Sequence, residues 1–171
     1  GRTVKALFDL KDRKSIESVL MLAEASVEGR TRNTVCISSQ AGCLIRCPFC
    51  ATGQQGFDRN LSAGESVDQV RQVKNLSGRR ITNLVYMGMG EPLMNYDSVM
   101  NSIGIITTGI KIAAKRITVS TAGWVPGIRR MADENRKVKL AISLHTLDHA
   151  ARTQLMPVNA KYGLEELLDA A

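Results

Sequence analysis

The sequence has 171 residues, 44% of them hydrophobic and 23% charged, which suits one globular domain on a scale of roughly 150 residues per domain. No apolar run nears the roughly 18 residues of a membrane span, and Asp9, Asp12, Glu17 and Glu24 interrupt the stretch where a secretory signal would be apolar. Lysine and arginine outnumber aspartate and glutamate by 23 to 16, a net charge of +7 that suits a polyanionic partner without requiring one. A soluble, cytoplasmic protein is expected. The chain opens on Gly1 and stops inside a helical pattern, residues 164–171, with no C-cap signal, so a piece of a longer protein is expected as well.

In chain order, residues 5–10 and 15–22, separated by Lys11-Asp12-Arg13-Lys14, predict an antiparallel hairpin flanking the main sheet. Short apolar, β-branched runs follow at 34–38, 83–87, 116–120 and 139–144, most of them succeeded by a helical stretch. That rhythm is α/β with parallel strands. Ser62-Ala63-Gly64-Glu65 is a capping-box pattern opening a helix that carries Val67, Val70 and Val73 near one face. Further crossover helices are expected around 96–106 and 127–135, and His149 is expected on a surface helix. The domain division that follows is an N-terminal β-hairpin extension, 1–33, and a core, 34–171.

Residues two apart share a face of a strand. Thr34, Cys36 and Ser38 therefore oppose Val35 and Ile37, Thr118 and Ser120 oppose Ile117 and Val119, and Ser143 and His145 oppose Ile142 and Leu144. A sheet covered by helices on one side and curled into a barrel or part-barrel would turn these polar faces inward, toward a polar ligand. Plain alternation beside solvent explains the same pattern. Four strands do not close a barrel, so further strands are expected beyond Ala171.

All four cysteines fall between positions 36 and 50. An intracellular α/β domain of this size has neither the redox setting for disulfide staples nor a need of them. Zinc stays open, because Cys47 and Cys50 have knuckle spacing and Cys36 or Cys43 could add thiolates, although no second knuckle is present and His145 and His149 lie far along the chain. An iron–sulfur cluster uses the pattern more fully: Cys43, Cys47 and Cys50 would each hold one iron from a single compact loop and leave a fourth iron open.

The spacing C-x3-C-x2-C directly after the first strand of a βα series resembles the cluster loop of the radical S-adenosylmethionine (SAM) superfamily, and Phe49 fits that loop's usual aromatic. Longer stretches resemble the dual-specificity ribosomal and transfer RNA adenine-C2 methyltransferases. They are Cys36-Ile37-Ser38-Ser39-Gln40-Ala41-Gly42-Cys43, Ala51-Thr52-Gly53-Gln54-Gln55-Gly56-Phe57-Asp58-Arg59-Asn60-Leu61, Met87-Gly88-Met89-Gly90-Glu91-Pro92-Leu93 and Ile142-Ser143-Leu144-His145. The resemblance covers essentially the whole chain. It implies a radical SAM partial (β/α) barrel, of six strands in the family and truncated here after about four.

By that resemblance Cys43, Cys47 and Cys50 are the ligands of a 4Fe-4S cluster, and Gly90, Glu91, Ser120, Ser143, Leu144 and His145 are the SAM contacts. A carboxylate beside an ammonium is what contact with SAM's amino group asks of Glu91. Cys36 matches the residue that resolves a covalent protein–RNA adduct by forming a disulfide with a methyl-carrying cysteine, and Glu17 matches a proton acceptor. The implied reaction methylates carbon 2 of adenine in 23S rRNA and tRNA through a methyl-cysteine, with an electron donor such as flavodoxin or ferredoxin and a monomeric enzyme. The methyl-carrying cysteine and a SAM-contacting Asn belong to the family's C-terminal part, which this chain lacks, so methylation by these residues alone is not expected.

Two alternatives remain open on the sequence: a sister adenine-C8 rRNA methyltransferase and a zinc-stabilised RNA-binding module. Basic residues are scattered, as Arg30 and Arg32, Arg79 and Arg80, Lys111 with Lys115 and Arg116, Arg129 and Arg130, and Arg136 with Lys137 and Lys139. Arg59, just past the cysteine loop, is the first candidate to touch RNA, unless a carboxylate ties it down.

Overall fold

The computed structural model describes residues 2–23 and 31–171, and Glu24 and Arg30 lie outside the described residues. In chain order the elements are β1 (Arg2–Asp9), β2 (Ser15–Leu22), β3 (Asn33–Cys36), β4 (Gln40–Gly42), α1 (Ala51–Gln54), β5 (Phe57–Asn60), α2 (Ala63–Ser77), β6 (Asn83–Tyr86), α3 (Tyr96–Ile105), β7 (Ile117–Thr121), α4 (Val125–Asp133), β8 (Lys139–Ile142), α5 (His149–Leu155) and α6 (Leu164–Asp169). The main sheet has the order β1-β2-β3-β6-β7-β8. The expected hairpin is present and continues the sheet: β1 pairs with β2 and β2 with β3, both antiparallel, while β3, β6, β7 and β8 are mutually parallel.

The α/β rhythm of the sequence is thus realised, with small shifts at element ends. Val35, Ile37, Leu84, Tyr86, Ile117 and Val119 are almost fully buried on one face, packed with Val70 and Val73 of α2, Val99 and Ile103 of α3, and Ile128 of α4. Each such side chain contributes about 1.5–3 kcal/mol by leaving water. The pairs Val19 with Cys36, Cys36 with Val85, Val85 with Thr118 and Ser120 with Ala141 put the other set of residues together on the opposite face. In α2 the capping box forms as its sequence predicts: Ser62 Oγ accepts from the Glu65 N–H at 3.2 Å, and Glu65 Oε2 accepts from the Ser62 N–H at 2.8 Å. Gly78, in left-handed backbone at φ 61, closes the helix.

A second, two-stranded sheet has no counterpart in the sequence pattern. β4 and β5 pair antiparallel around the cysteine loop, with Gln40 opposite Asn60, Ala41 opposite Arg59 and a register shift before Gly42 meets Phe57. Gly42 sits at φ 78, and a Cβ there would come within 2.1 Å of the Gly56 carbonyl oxygen, so the crossing of the two strands needs glycine.

Ser38, Ser39 and Gln40 leave β3 fully shielded from solvent, and buried polar groups require partners. Gln69 of α2 supplies several: its Oε1 accepts from the Ser38 N–H and from Ser18 Oγ, both at 2.8 Å, and its Nε2 donates to the Ser38 carbonyl at 3.0 Å. Asn95 Nδ2 donates to the carbonyls of Ser39 and Leu61 at 2.9 and 2.7 Å. Gln69→Leu would leave these groups of Ser38 and Ser18 without partners, at a cost of about 3 kcal/mol. Urea unfolding of the variant beside wild type checks this; an unchanged midpoint would show that the amide is dispensable.

Candidate functional site

The open ends of the parallel strands meet the cysteine loop. Cys43, Cys47 and Cys50 line one cavity of about 270 Å³ together with Gly90 and Glu91, the strand-end residues Ser120 and Ser143, and Phe49 and His145. The backbone shapes the loop: Cys43 N–H donates to the Gly56 carbonyl at 2.7 Å and Cys50 N–H to the Cys47 carbonyl at 3.0 Å. Gly53 is also required, because a Cβ there would approach the Cys47 carbonyl oxygen and nitrogen to 2.8 and 2.9 Å. All four cysteines are free thiols. Burial, and the nearness of Cys43 and Cys50, push the Cys47 thiol up to about 11.

Gly88-Met89-Gly90-Glu91 forms the facing wall. Gly88 and Gly90 are wedged against the chain leaving β3: a Cβ on Gly88 would come within 2.8 Å of the Ile37 carbonyl, and one on Gly90 within 2.5 Å of the Gln40 side chain. Gly90 has φ 99, a region that favours glycine. Gln40 Oε1 accepts from the Glu91 N–H at 2.9 Å. Glu91 is only 2% exposed; Oε1 accepts from the Leu93 N–H at 3.1 Å and Oε2 from the Ala122 N–H at 2.7 Å. Its carboxylate therefore caps the turn at Pro92–Asn95 and pins the exit of β7.

Leu144 stands apart from the other expected cofactor contacts, packing its side chain against the main core rather than lining the cavity. β8 ends at Ile142, and His145 adopts φ 61, so a turn, and not strand alternation, brings His145 to the cavity beside Phe49, with ring centroids 4.9 Å apart. Ser38 also departs from the alternating face, since its hydroxyl is buried on the Glu17 carbonyl at 2.7 Å. Cys36 and Glu17 lie outside the cavity lining. The Cys36 thiol is half-buried, raised by burial and approached by the Met87 N–H. Glu17 shares its sheet face through the Val19–Cys36 register and pairs with Lys5 Nζ at 2.6 Å. His149 begins α5, exposed, as expected.

The radical SAM superfamily profile matches residues 37–171. The chain belongs to that superfamily. It is 49% identical, over all of its own length and 47% of the relative's, to a probable dual-specificity RNA methyltransferase RlmN of Mycolicibacterium gilvum. It is 50% identical to the protein of the same name from Heliobacterium modesticaldum, over 98% of this chain and 45% of that one. The crystal structure of a radical SAM methyltransferase from Sphaerobacter thermophilus superposes with a TM-score of 0.90 at 46% identity, covering 99% of this chain and 50% of that one. The chain thus spans about half the length of these relatives.

The superfamily implies SAM and a 4Fe-4S cluster in general, and the donor set of this radical SAM chain fits them. Among the described residues no three His, Cys, Asp or Glu side chains gather to hold one metal ion. A cluster asks for one thiolate per iron, and three thiols around one cavity meet that demand.

Arg59 resolves differently from its first reading as an RNA contact. Its guanidinium donates to Glu65 at 2.8 and 3.0 Å and to Asp12 at 2.6 Å, so β5 is tied to α2 and to the hairpin turn. The carboxylates come from those two elements and not from the cysteine loop. Arg32, Arg79, Arg80, Arg116 and Lys137 precede the parallel strands and so lie at the opposite end from the cavity. Two arginines carry no motif signal and emerge only in three dimensions: Arg46, exposed inside the cysteine loop at φ 58, and the buried Arg152.

Burial raises Glu91 from 4.5 to about 7. The folded chain therefore holds this proton more tightly than the unfolded chain, and the contribution of Glu91 to the unfolding free energy falls as pH rises between 4.5 and about 7. Glu91→Gln, which replaces one acceptor by a donor facing a backbone N–H, is expected to flatten that segment and to lower stability by about 1–3 kcal/mol. Urea unfolding of the cluster-free protein across this pH range measures both effects.

Proposed function

We propose that the chain is the cluster- and SAM-binding half of a radical SAM RNA methyltransferase that modifies carbon 2 of adenine in 23S rRNA and tRNA. The observation that carries this reading is the convergence of Cys43, Cys47, Cys50, Gly90, Glu91, Ser120, Ser143 and His145 on one cavity at the strand ends. The printed names of the relatives, dual-specificity RNA methyltransferases, support the substrate class. An electron donor such as flavodoxin or ferredoxin, a cytoplasmic location and a monomeric state complete the proposal. Among the described residues no helix is long and apolar enough to cross a membrane. The division into a hairpin extension, 1–33, and a core, 34–171, also stands as a proposal.

In this reading Cys43, Cys47 and Cys50 hold the cluster. Bound there with SAM, such a cluster would supply the one-electron chemistry that an electron-poor aromatic carbon needs to become reactive. Gly90 brings its peptide close to the cofactor, and Glu91 holds the Leu93 and Ala122 peptides in place at the cavity wall. Ser120, Ser143 and His145, which line the cavity, would orient SAM from the strand ends, with Phe49 packed on His145. Cys36 is the resolving thiol, and Glu17, on the same face of the sheet, is the proton acceptor.

Anaerobic purification of the full-length protein tests the ligand set. Cys43→Ala, Cys47→Ala and Cys50→Ala are each expected to lose bound iron and sulfide, while Cys36→Ala keeps both. Loss in Cys36→Ala would make that residue a ligand instead. RNA affinity measured over a range of salt tests the surface: Arg46→Ala should lower the log–log salt slope by about 0.7–0.9, whereas Arg59→Ala, already paired with Glu65 and Asp12, should leave it unchanged. A slope lowered only in Arg59→Ala would reverse that assignment.

A further inference from the structure

Beside the cysteine loop the fold buries a guanidinium with no acid to answer it. Arg152 of α5 is completely shielded from solvent. It donates to Asn159 Oδ1 at 2.6 Å, to the Ala122 carbonyl at 2.8 Å, and at longer range to the Leu144 and Ser143 carbonyls at 3.3 and 3.4 Å. All these acceptors are neutral, and among the described residues no carboxylate pairs with it. A buried ion without a counter-ion costs several kcal/mol, so a tie between loops would be made more cheaply by a neutral amide. The charge itself requires an explanation.

Its surroundings point to the cysteines. The chain runs from α5 into Met156 and Val158, which share one buried cluster with Ile45 and Cys47. Ala122, whose carbonyl Arg152 holds, packs against the same cluster, as do Cys43 and Cys50, and lines the cavity with them. The Ala122 N–H goes to Glu91, so one peptide segment links the buried acid to the buried base. Burial lowers the proton affinity of Arg152, and the group that acts in the other direction, as a thiolate, is Cys47.

We propose that Arg152 is the fixed counter-charge of the three-cysteine loop, stabilising the negative charge that gathers when Cys43, Cys47 and Cys50 hold an iron–sulfur cluster as thiolates. This rests on the reading of those cysteines as cluster ligands. When an external low-potential donor passes one electron to the cluster, no bond breaks at Arg152 and no proton leaves it. The site gains one negative charge, and a guanidinium already in place favours the reduced state without reorganising. Arg152 is thus a positioning residue that acts on the reduction equilibrium.

The test uses full-length protein purified anaerobically, with iron and sulfide counted and the reduction potential titrated spectroscopically with dithionite and mediators. Arg152→Met is expected to shift the potential negative by at least a factor of ten in the reduction equilibrium, 59 mV for a one-electron couple. Arg152→Lys, which keeps the charge, is expected to restore most of that shift. Asn159→Asp keeps the protein's guanidinium but pairs it with a carboxylate, and is expected to lower the potential as well. It serves where Arg152→Met does not fold. Wild-type potentials in cluster-loaded Arg152→Met or Asn159→Asp would reduce Arg152 to a structural tie. Wild-type protein without iron and sulfide would overturn the cluster reading itself, together with the counter-charge.

Discussion

Three buried side-chain amides hold the chain where it leaves β3, and the geometry of the candidate site depends on them. Gln69 of α2 and Asn95 of the turn after Pro92 satisfy polar groups of Ser38 and Ser39, and the side chain of Gln40 itself accepts from the Glu91 N–H in the loop before Pro92. An unpartnered donor or acceptor at that depth would cost about 1–3 kcal/mol, so the three elements are locked to one another. The cysteine loop starts from this fixed edge, and the glycine-rich wall can approach it only because Gly88 and Gly90 lack a Cβ.

Charge is distributed on the same plan. On the outside of the cysteine ribbon, Arg59 joins Asp12 and Glu65 in a partly exposed network that ties the ribbon to the hairpin and to α2. On the inside, Glu91 and Arg152 are buried on either side of Ala122, Glu91 held by backbone N–H groups and Arg152 by backbone carbonyls and the Asn159 amide. The outer network is screened by solvent and contributes modestly to stability. The inner two are shielded from solvent, where salt screens charge much less.

Much of the fold was legible because its signals are local. The capping box at Ser62, the hairpin spacing and the β-branched runs that became β3, β6, β7 and β8 each depend on neighbours a few residues away. The β4–β5 ribbon was not legible, since three- and four-residue strands with a register shift carry no periodic pattern. Strand alternation also placed Ser143 and His145 on one face for an incomplete reason: β8 ends at Ile142, and a left-handed turn at His145 delivers the side chain instead.

The sequence by itself determined the chemistry-bearing types and their spacing: three cysteines in one loop, a Gly-Met-Gly-Glu turn and polar residues at the ends of parallel strands. Covalent spacing sets which thiols can share a loop, and period-two alternation sets which faces are polar. Only the tertiary structure decided which charges are free. Arg59 lies near the loop in sequence, yet carboxylates from two distant elements claim it. Arg152 lies more than a hundred residues from Cys47 in the numbering, yet folding buries it on Ala122 and Ser143, which line the cavity of that loop, and among the described residues no carboxylate pairs with it. Pairing and burial arise from contacts between segments far apart in the chain, and no local pattern encodes them.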